Sequence, residues 1–214
     1  MKRKVSGLIF DLDGVLVFTD KFHYLAWKQI ADEKGIPFDE KINDRLRGVS
    51  RMQSLEIILE KYSGEPLTEE QKADMAERKN EIYRSYLHTM TSNDVSEEVR
   101  KTLEELKCKG YKLAVGSSSK NAGFILEQVA LRDAFDVLSD GNQITHSKPD
   151  PEVFLNAAAL MGCIPEECAV IEDAEAGIDA AKDGEMIAVS IGNATSYGRS
   201  DIRLNTFSDL LLYF

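Results

Sequence analysis

An apolar run over residues 5–10, Val-Ser-Gly-Leu-Ile-Phe, leads straight into Asp11-Leu12-Asp13-Gly14-Val15. The run reads as a short strand. One that delivers two carboxylates and then a glycine is poor core material. It suits the carboxyl end of a parallel strand, where open α/β sheets bind their ligands. The period-2 pleat aims Asp11 and Asp13 the same way. Two like charges held that close need a cation, a shared proton or a reaction to account for them.

The period then changes. Residues 19–34 have helical spacing, with Phe22, Leu25, Ala26, Gln29 and Ile30 sharing much of one face. Gly35-Ile36-Pro37 stops that helix. Further helices are expected over 39–46, 50–62 and 68–88, the last opening on Thr68-Glu69-Glu70-Gln71, which has capping-box spacing. From residue 94 onward strands alternate with helices. Strands are predicted at 112–116, 135–138, 169–172 and 186–190, and helices at 96–109, 121–130, 151–161 and 176–183. That alternation predicts crossover connections and a mainly parallel sheet. The expected fold is α/β: a doubly wound core of residues 1–16 and 93–214, with an all-helical cap inserted over 17–92. The hinges fall near Phe18 and Thr91-Ser92-Asn93.

The chain has 214 residues and a formal charge of −11, which argues against nucleic acid or an anionic membrane as partner. The basic start Met1-Lys2-Arg3-Lys4 precedes too short an apolar stretch for a signal peptide, and no apolar run approaches a membrane span. A cytoplasmic monomer is expected. Cys108, Cys163 and Cys168 lack zinc spacing and a histidine cluster, and read as free thiols.

Four polar clusters fall at predicted strand ends: Asp11/Asp13, Ser117-Ser118-Ser119-Lys120-Asn121, Ser147-Lys148-Pro149 and Glu172-Asp173. In a parallel sheet all four converge at one edge. Together they offer carboxylates for a cation, hydroxyls and amides for an anion, and one ammonium.

This arrangement resembles the haloacid dehalogenase superfamily of phosphotransferases, with its Rossmann-like core. Asp11-Leu12-Asp13-Gly14-Val15 is similar to the first motif, Ser117 to the second, Lys148 to the third, and Glu172-Asp173 with Gly177 to the fourth. A narrower likeness is to the sugar-phosphate mutases of that family. It rests on His23-Tyr24-Leu25-Ala26-Trp27, Leu46-Arg47-Gly48-Val49-Ser50-Arg51, Arg78-Lys79-Asn80 and the second and third clusters. By that resemblance Asp11 is the nucleophile and Asp13 the general acid/base. Asp11, the backbone carbonyl of Asp13, Glu172 and Asp173 form the Mg²⁺ site. Ser117 and Lys148 hold the transferring phosphoryl oxygens.

The resemblance assigns substrate choice to the cap. Arg51 clamps a second phosphate, with Ser50 and Ser54 grouped beside it, while Ser118, Ser119, Lys120 and Asn121 approach from the core. Gly48-Val49 suits a loop over a sugar ring. Trp27 is counted with the substrate set, although an indole on a helix face is usually packing. His23 and Lys79 are linked by resemblance to activation of Asp13.

Three positions depart from the family pattern: Phe18 for a usual Asp, Ala174 for a hydroxyl residue, and Ser96-Glu97-Glu98 for a Pro-Gly turn. They bear on cap motion and on support of the metal carboxylates more than on reaction class. The expected reaction interconverts β-D-glucose 1-phosphate and glucose 6-phosphate through phospho-Asp11 and a sugar bisphosphate. The rivals are a sugar-phosphate phosphatase and a non-catalytic sugar-phosphate binding protein.

Overall fold

The structure, a computed structural model, describes residues 4–46 and 49–214. Gly48, expected in the substrate loop, lies outside the described residues. Six strands form one sheet: β1 (Gly7–Phe10), β2 (Lys112–Gly116), β3 (Val137–Ser139), β4 (Cys168–Glu172), β5 (Ile187–Ser190) and β6 (Ile202–Arg203). Their order is β3-β2-β1-β4-β5-β6, and every neighbouring pair is parallel. The chain therefore winds outward from β1 in one direction, then returns to the other side of β1 at β4. A crevice forms at that reversal, beyond the carboxyl ends of the strands.

Side-chain alternation explains why the strands sit in the middle. Leu8 and Phe10 enter one apolar cluster and Ile9 the other; Leu113 and Val115 oppose Ala114, and Ala169 and Ile171 oppose Val170. Both faces of the sheet are buried, and each large aliphatic or aromatic side chain so covered contributes about 1.5–3 kcal/mol.

The first four helices after β1 form a block with its own apolar centre: α1 (Asp20–Glu33), α2 (Glu40–Asp44), α3 (Arg51–Leu59) and α4 (Glu69–Leu87). Trp27, Ile30, Leu55, Ile58, Met75 and Ala76 fill that centre. The Thr68 box forms as the spacing predicts, with Thr68 Oγ1 accepting from Gln71 N and Gln71 Oε1 accepting from Thr68 N. The buried face of α1 is rotated from the expected one. Ala26, Trp27, Ile30 and Ala31 are covered while Gln29 is exposed, because Trp27 has the larger apolar surface to hide. The remaining helices are α5 (Glu97–Cys108), α6 (Ala122–Gln128), α7 (Glu152–Met161) and α8 (Glu175–Asp183). Among the described residues, no helix is long and apolar enough to cross a membrane.

Two strand expectations need correction. β3 spans Val137–Ser139 rather than 135–138, since Phe135 turns into the core beside Phe10. The two-residue β6 has no pattern in the sequence; it exists by pairing with β5 at Val189 and Ser190.

Candidate active site

The ends of three central strands deliver the polar groups. Asp11 directly follows β1, its amide bonded to Ile171 O of β4 at 2.9 Å. Ser117 follows β2, with its amide donating to Ser139 O at 3.0 Å. Glu172 ends β4 and Asp173 comes next. Lys148 departs from expectation. It lies nine residues beyond β3, on the irregular segment 140–151 rather than at a strand end. It nevertheless reaches the expected edge, because its long side chain spans the distance from that segment to Asp11 and Glu172.

Lys148 Nζ donates to Asp11 Oδ1 at 2.5 Å and to Glu172 Oε2 at 2.8 Å, and lies 4.6 Å from the centroid of the Phe154 ring. Burial works against its charge, but the two carboxylates outweigh that and raise its pKa above the usual lysine value. Glu172 is pushed up, by burial first and by Asp11 second, against the pull of Lys148. Its other oxygen, Oε1, accepts from the amides of Asp173 and Ala174, each at 3.0 Å. Gly177 is needed at the start of α8 because a Cβ there would strike the Glu172 carboxylate. Gly14 is needed twice over: its φ is +92°, and a Cβ would strike Asp173.

Asp11, Glu172 and Asp173 each offer an oxygen within 4.8 Å of the others. Three buried carboxylates facing one ammonium carry excess negative charge, and an all-oxygen set of this kind fits a hard divalent cation. The side chain of Asp13 is not in that set. Both Asp11 and Asp13 line the cleft, but β1 ends at Phe10, and their partners differ. Asp13 accepts from the Thr19 hydroxyl, which in turn accepts from Tyr83 Oη at 3.1 Å. Loss of solvent, then the charge of Asp11, raises the Asp13 carboxyl to about 7, against the Thr19 bond. Unlike Glu172, which is also raised but is tied to Lys148, Asp13 bonds only a neutral hydroxyl, which suits it to trade protons near neutrality.

Ser117 Oγ accepts from the Ser119 amide at 3.1 Å, so its own hydrogen remains to donate. It does not cap α6. Asn121 occupies the cap position there, and its side chain bonds elsewhere.

The helical block closes the opposite wall. Arg51, Val49, Ser50 and Ser54 line one cleft of about 1060 Å³ together with Asp11, Asp13, Ser117, Ser118, Ser119, Lys120, Asn121, Lys148, Glu172 and Asp173. Arg51 pairs with Glu77 at 3.1 Å; burial lowers its pKa and Glu77 opposes the fall. Trp27 is buried yet borders the cleft. Lys79 is 3% exposed, sits 5.0 Å over the Trp27 ring and 4.6 Å over the Tyr83 ring, and bonds His23 Nδ1 at 2.8 Å. His23 is held well below its usual pKa, by burial and then by Lys79 and Arg51, so the ring is kept neutral beside Lys79. The sequence reading missed Thr19, Tyr83 and Glu77 as site groups. Tyr83 lies one helical turn after Lys79, and that spacing was the available signal.

Burial, then the Arg51 charge, lowers Lys79 from 10.5 to about 7, against Asp13. Between those values the unfolded chain holds a proton that the folded protein has lost, so stability climbs with pH; below 7 the full penalty, about 5 kcal/mol, is present. Replacing Lys79 with Met removes the charge and the His23 bond together. The expected net gain is about 2 kcal/mol at pH 6, fading by pH 10, read from urea unfolding at the two pH values.

A buried ammonium, paired carboxylates and a hydroxyl at the switch point of a parallel sheet, beneath a helical cap that brings Arg51 to the cleft, define an enzyme that moves phosphoryl groups. The chain belongs to the family described as haloacid dehalogenase-like hydrolase, whose model matches residues 8–191. A β-phosphoglucomutase of Bacillus subtilis strain 168 is 41% identical over 209 residues, covering 97% of this chain and 92% of that protein. A phosphorylated carbohydrates phosphatase of Thermotoga maritima is 31% identical, with 83% and 81% covered. The crystal structure of β-phosphoglucomutase (pgmB) from Clostridium difficile superposes with a TM-score of 0.90 at 38% identity, covering 96% of this chain and 93% of that one.

Proposed function

We propose that this enzyme is a β-phosphoglucomutase, interconverting β-D-glucose 1-phosphate and glucose 6-phosphate through phospho-Asp11 and β-glucose 1,6-bisphosphate. The observation that carries the reading is the cleft itself. Asp11 and Lys148 stand at one wall and Arg51 at the other, so one sugar with two phosphates can be held between them. The B. subtilis relative supports the same reading.

In this reading the Asp11 carboxylate attacks phosphorus in line, and the bond to the leaving sugar oxygen breaks. Asp13, near 7, gives that oxygen its proton and later takes one from the accepting hydroxyl. Lys148 and Ser117 donate to the phosphoryl oxygens as charge builds on them. Asp11, Glu172, Asp173 and the Asp13 carbonyl are the groups that would hold Mg²⁺. When bound it supplies charge neutralisation at the phosphoryl oxygens. Arg51 and the Ser118–Asn121 segment orient the far phosphate, and the helical block over 17–92 acts as a cap that keeps water from the acyl phosphate.

The phosphatase reading draws on the T. maritima relative. Both share the acyl phosphate, so the far phosphate site discriminates. With bisphosphate as primer, the protein is expected to isomerise β-glucose 1-phosphate faster than it releases phosphate. Arg51→Ala is expected to lower isomerisation by about 10²-fold or more while hydrolysis of a small monophosphate ester stays within about threefold. Equal loss of both, or phosphate release without isomerisation, overturns the mutase reading.

A further inference from the structure

The cap meets the core a second time, where Arg84, Phe124 and His88, which the phosphoryl chemistry does not use, gather beside Asn121. Asn80, Arg84 and His88 recur every four residues at the end of α4 and share one face. They meet the start of α6. Arg84 Nη1 donates to Asn121 Oδ1 at 3.1 Å, and Asn121 Nδ2 donates to Asn80 Oδ1 at 2.9 Å. The Arg84 guanidinium lies 4.6 Å from the centroid of Phe124, and His88 meets the same ring edge-on at 4.9 Å. Asn121 is buried, so both ends of its amide need partners, and both partners come from the cap. The partners of Arg84 are an amide and a ring rather than a carboxylate. Asn80 and Asn121 line the cleft, whereas Arg84 does not.

We propose that Arg84 is a positioning residue that latches the helical cap to the core through Asn121 and Phe124. The charge of Arg84 strengthens its bond to Asn121 and its hold on the ring, so one side chain joins two faces that otherwise meet through neutral groups. By fixing Asn121 it also sets the segment 117–121 that borders the far end of the cleft. The consequence for turnover rests on the mutase reading; the latch itself concerns the position of the cap and does not.

Ligand-free Arg84→Ala, Arg84→Lys and Phe124→Leu proteins can be compared with the parent by small-angle scattering and by hydrogen exchange at the hinge amides 17–20 and 88–93. Arg84→Ala is expected to raise the radius of gyration and speed hinge exchange at least about threefold. Its KM for β-glucose 1-phosphate is expected to rise about tenfold with kcat within about threefold, because the closed cap becomes a smaller fraction of the population. Arg84→Lys, which keeps a charge over Phe124, is expected to recover most of both effects, and Phe124→Leu to show a smaller shift in the same direction. Unchanged scattering and hinge exchange in Arg84→Ala would overturn the latch, as would a loss confined to kcat that Lys does not rescue. Should the parent prove to be a phosphatase while Arg84→Ala still expands, the mutase reading falls and the latch stands.

Discussion

Asp11→Asn is expected to lower turnover by roughly 10⁴-fold or more while leaving the fold intact. Asn matches Asp in shape but cannot form an acyl phosphate, so no covalent phosphoryl-protein should appear by mass spectrometry after exposure to the bisphosphate. The electrostatics of the site predict the second half of the result. Lys148 faces Asp11 at 2.5 Å and Glu172 at 2.8 Å, and Asp173 stands close by. Removing one of three clustered carboxylates relieves repulsion and leaves the Lys148–Glu172 pair whole. The thermal midpoint in metal-free buffer is therefore expected to be no lower than the parent's. Activity within about tenfold of the parent would rule out Asp11 as nucleophile.

Lys148→Met is the opposite experiment: it should disturb folding as well as chemistry. Lys148 is 1% exposed, as is Glu172, so the ammonium and its partners are out of water. Taking away the cation strands two carboxylates, at a cost of about 3–5 kcal/mol at pH 8. The pH dependence has a definite sign. Glu172 is already raised above its ordinary value by burial and by Asp11, and without Lys148 it rises further. A carboxyl raised in the folded state binds protons there before the unfolded chain does, so the deficit shrinks as pH falls toward the unfolded value. Urea unfolding at pH 8 and pH 5 reads this directly. A deficit equal at both values would mean that lost packing against Phe154, and not stranded charge, sets the cost. Turnover should be lost with stability, because in the proposed mechanism Lys148 also donates to the phosphoryl oxygens.

Much of this protein is legible in order along the chain. The β1 run, the strand at Lys112–Gly116 and the helices α1–α5 between them follow from periodicity and capping residues, which act over a few neighbours. What escapes such reading depends on distant partners. β6 is two residues that become a strand only against β5. The turn of α1 that hides Trp27 and exposes Gln29 is set by what α3 and α4 place beside it. Lys148 stands out in the sequence only through the likeness of Ser147-Lys148-Pro149 to a family motif; its partners Asp11 and Glu172, 137 and 24 residues away, are set by the fold.

The site divides along the same line. Asp11, Asp13, Ser117, Glu172 and Asp173 could be singled out because each stands at or just past the end of an apolar strand, a position set by local pattern and a general rule of parallel sheets. That rule brings them to one edge without knowledge of any contact. The differences among them are another matter. Asp11 faces an ammonium while Asp13 faces a hydroxyl and, out of solvent, moves to about 7; Lys79 loses its charge preference in a box of rings; and Asn121, at the cleft wall, accepts from Arg84. The sequence alone thus determined which residues meet at the sheet edge. Only the tertiary structure decided which of them are charged, paired or free to donate, because desolvation and Coulomb interaction depend on separations of a few ångströms between groups far apart in the chain.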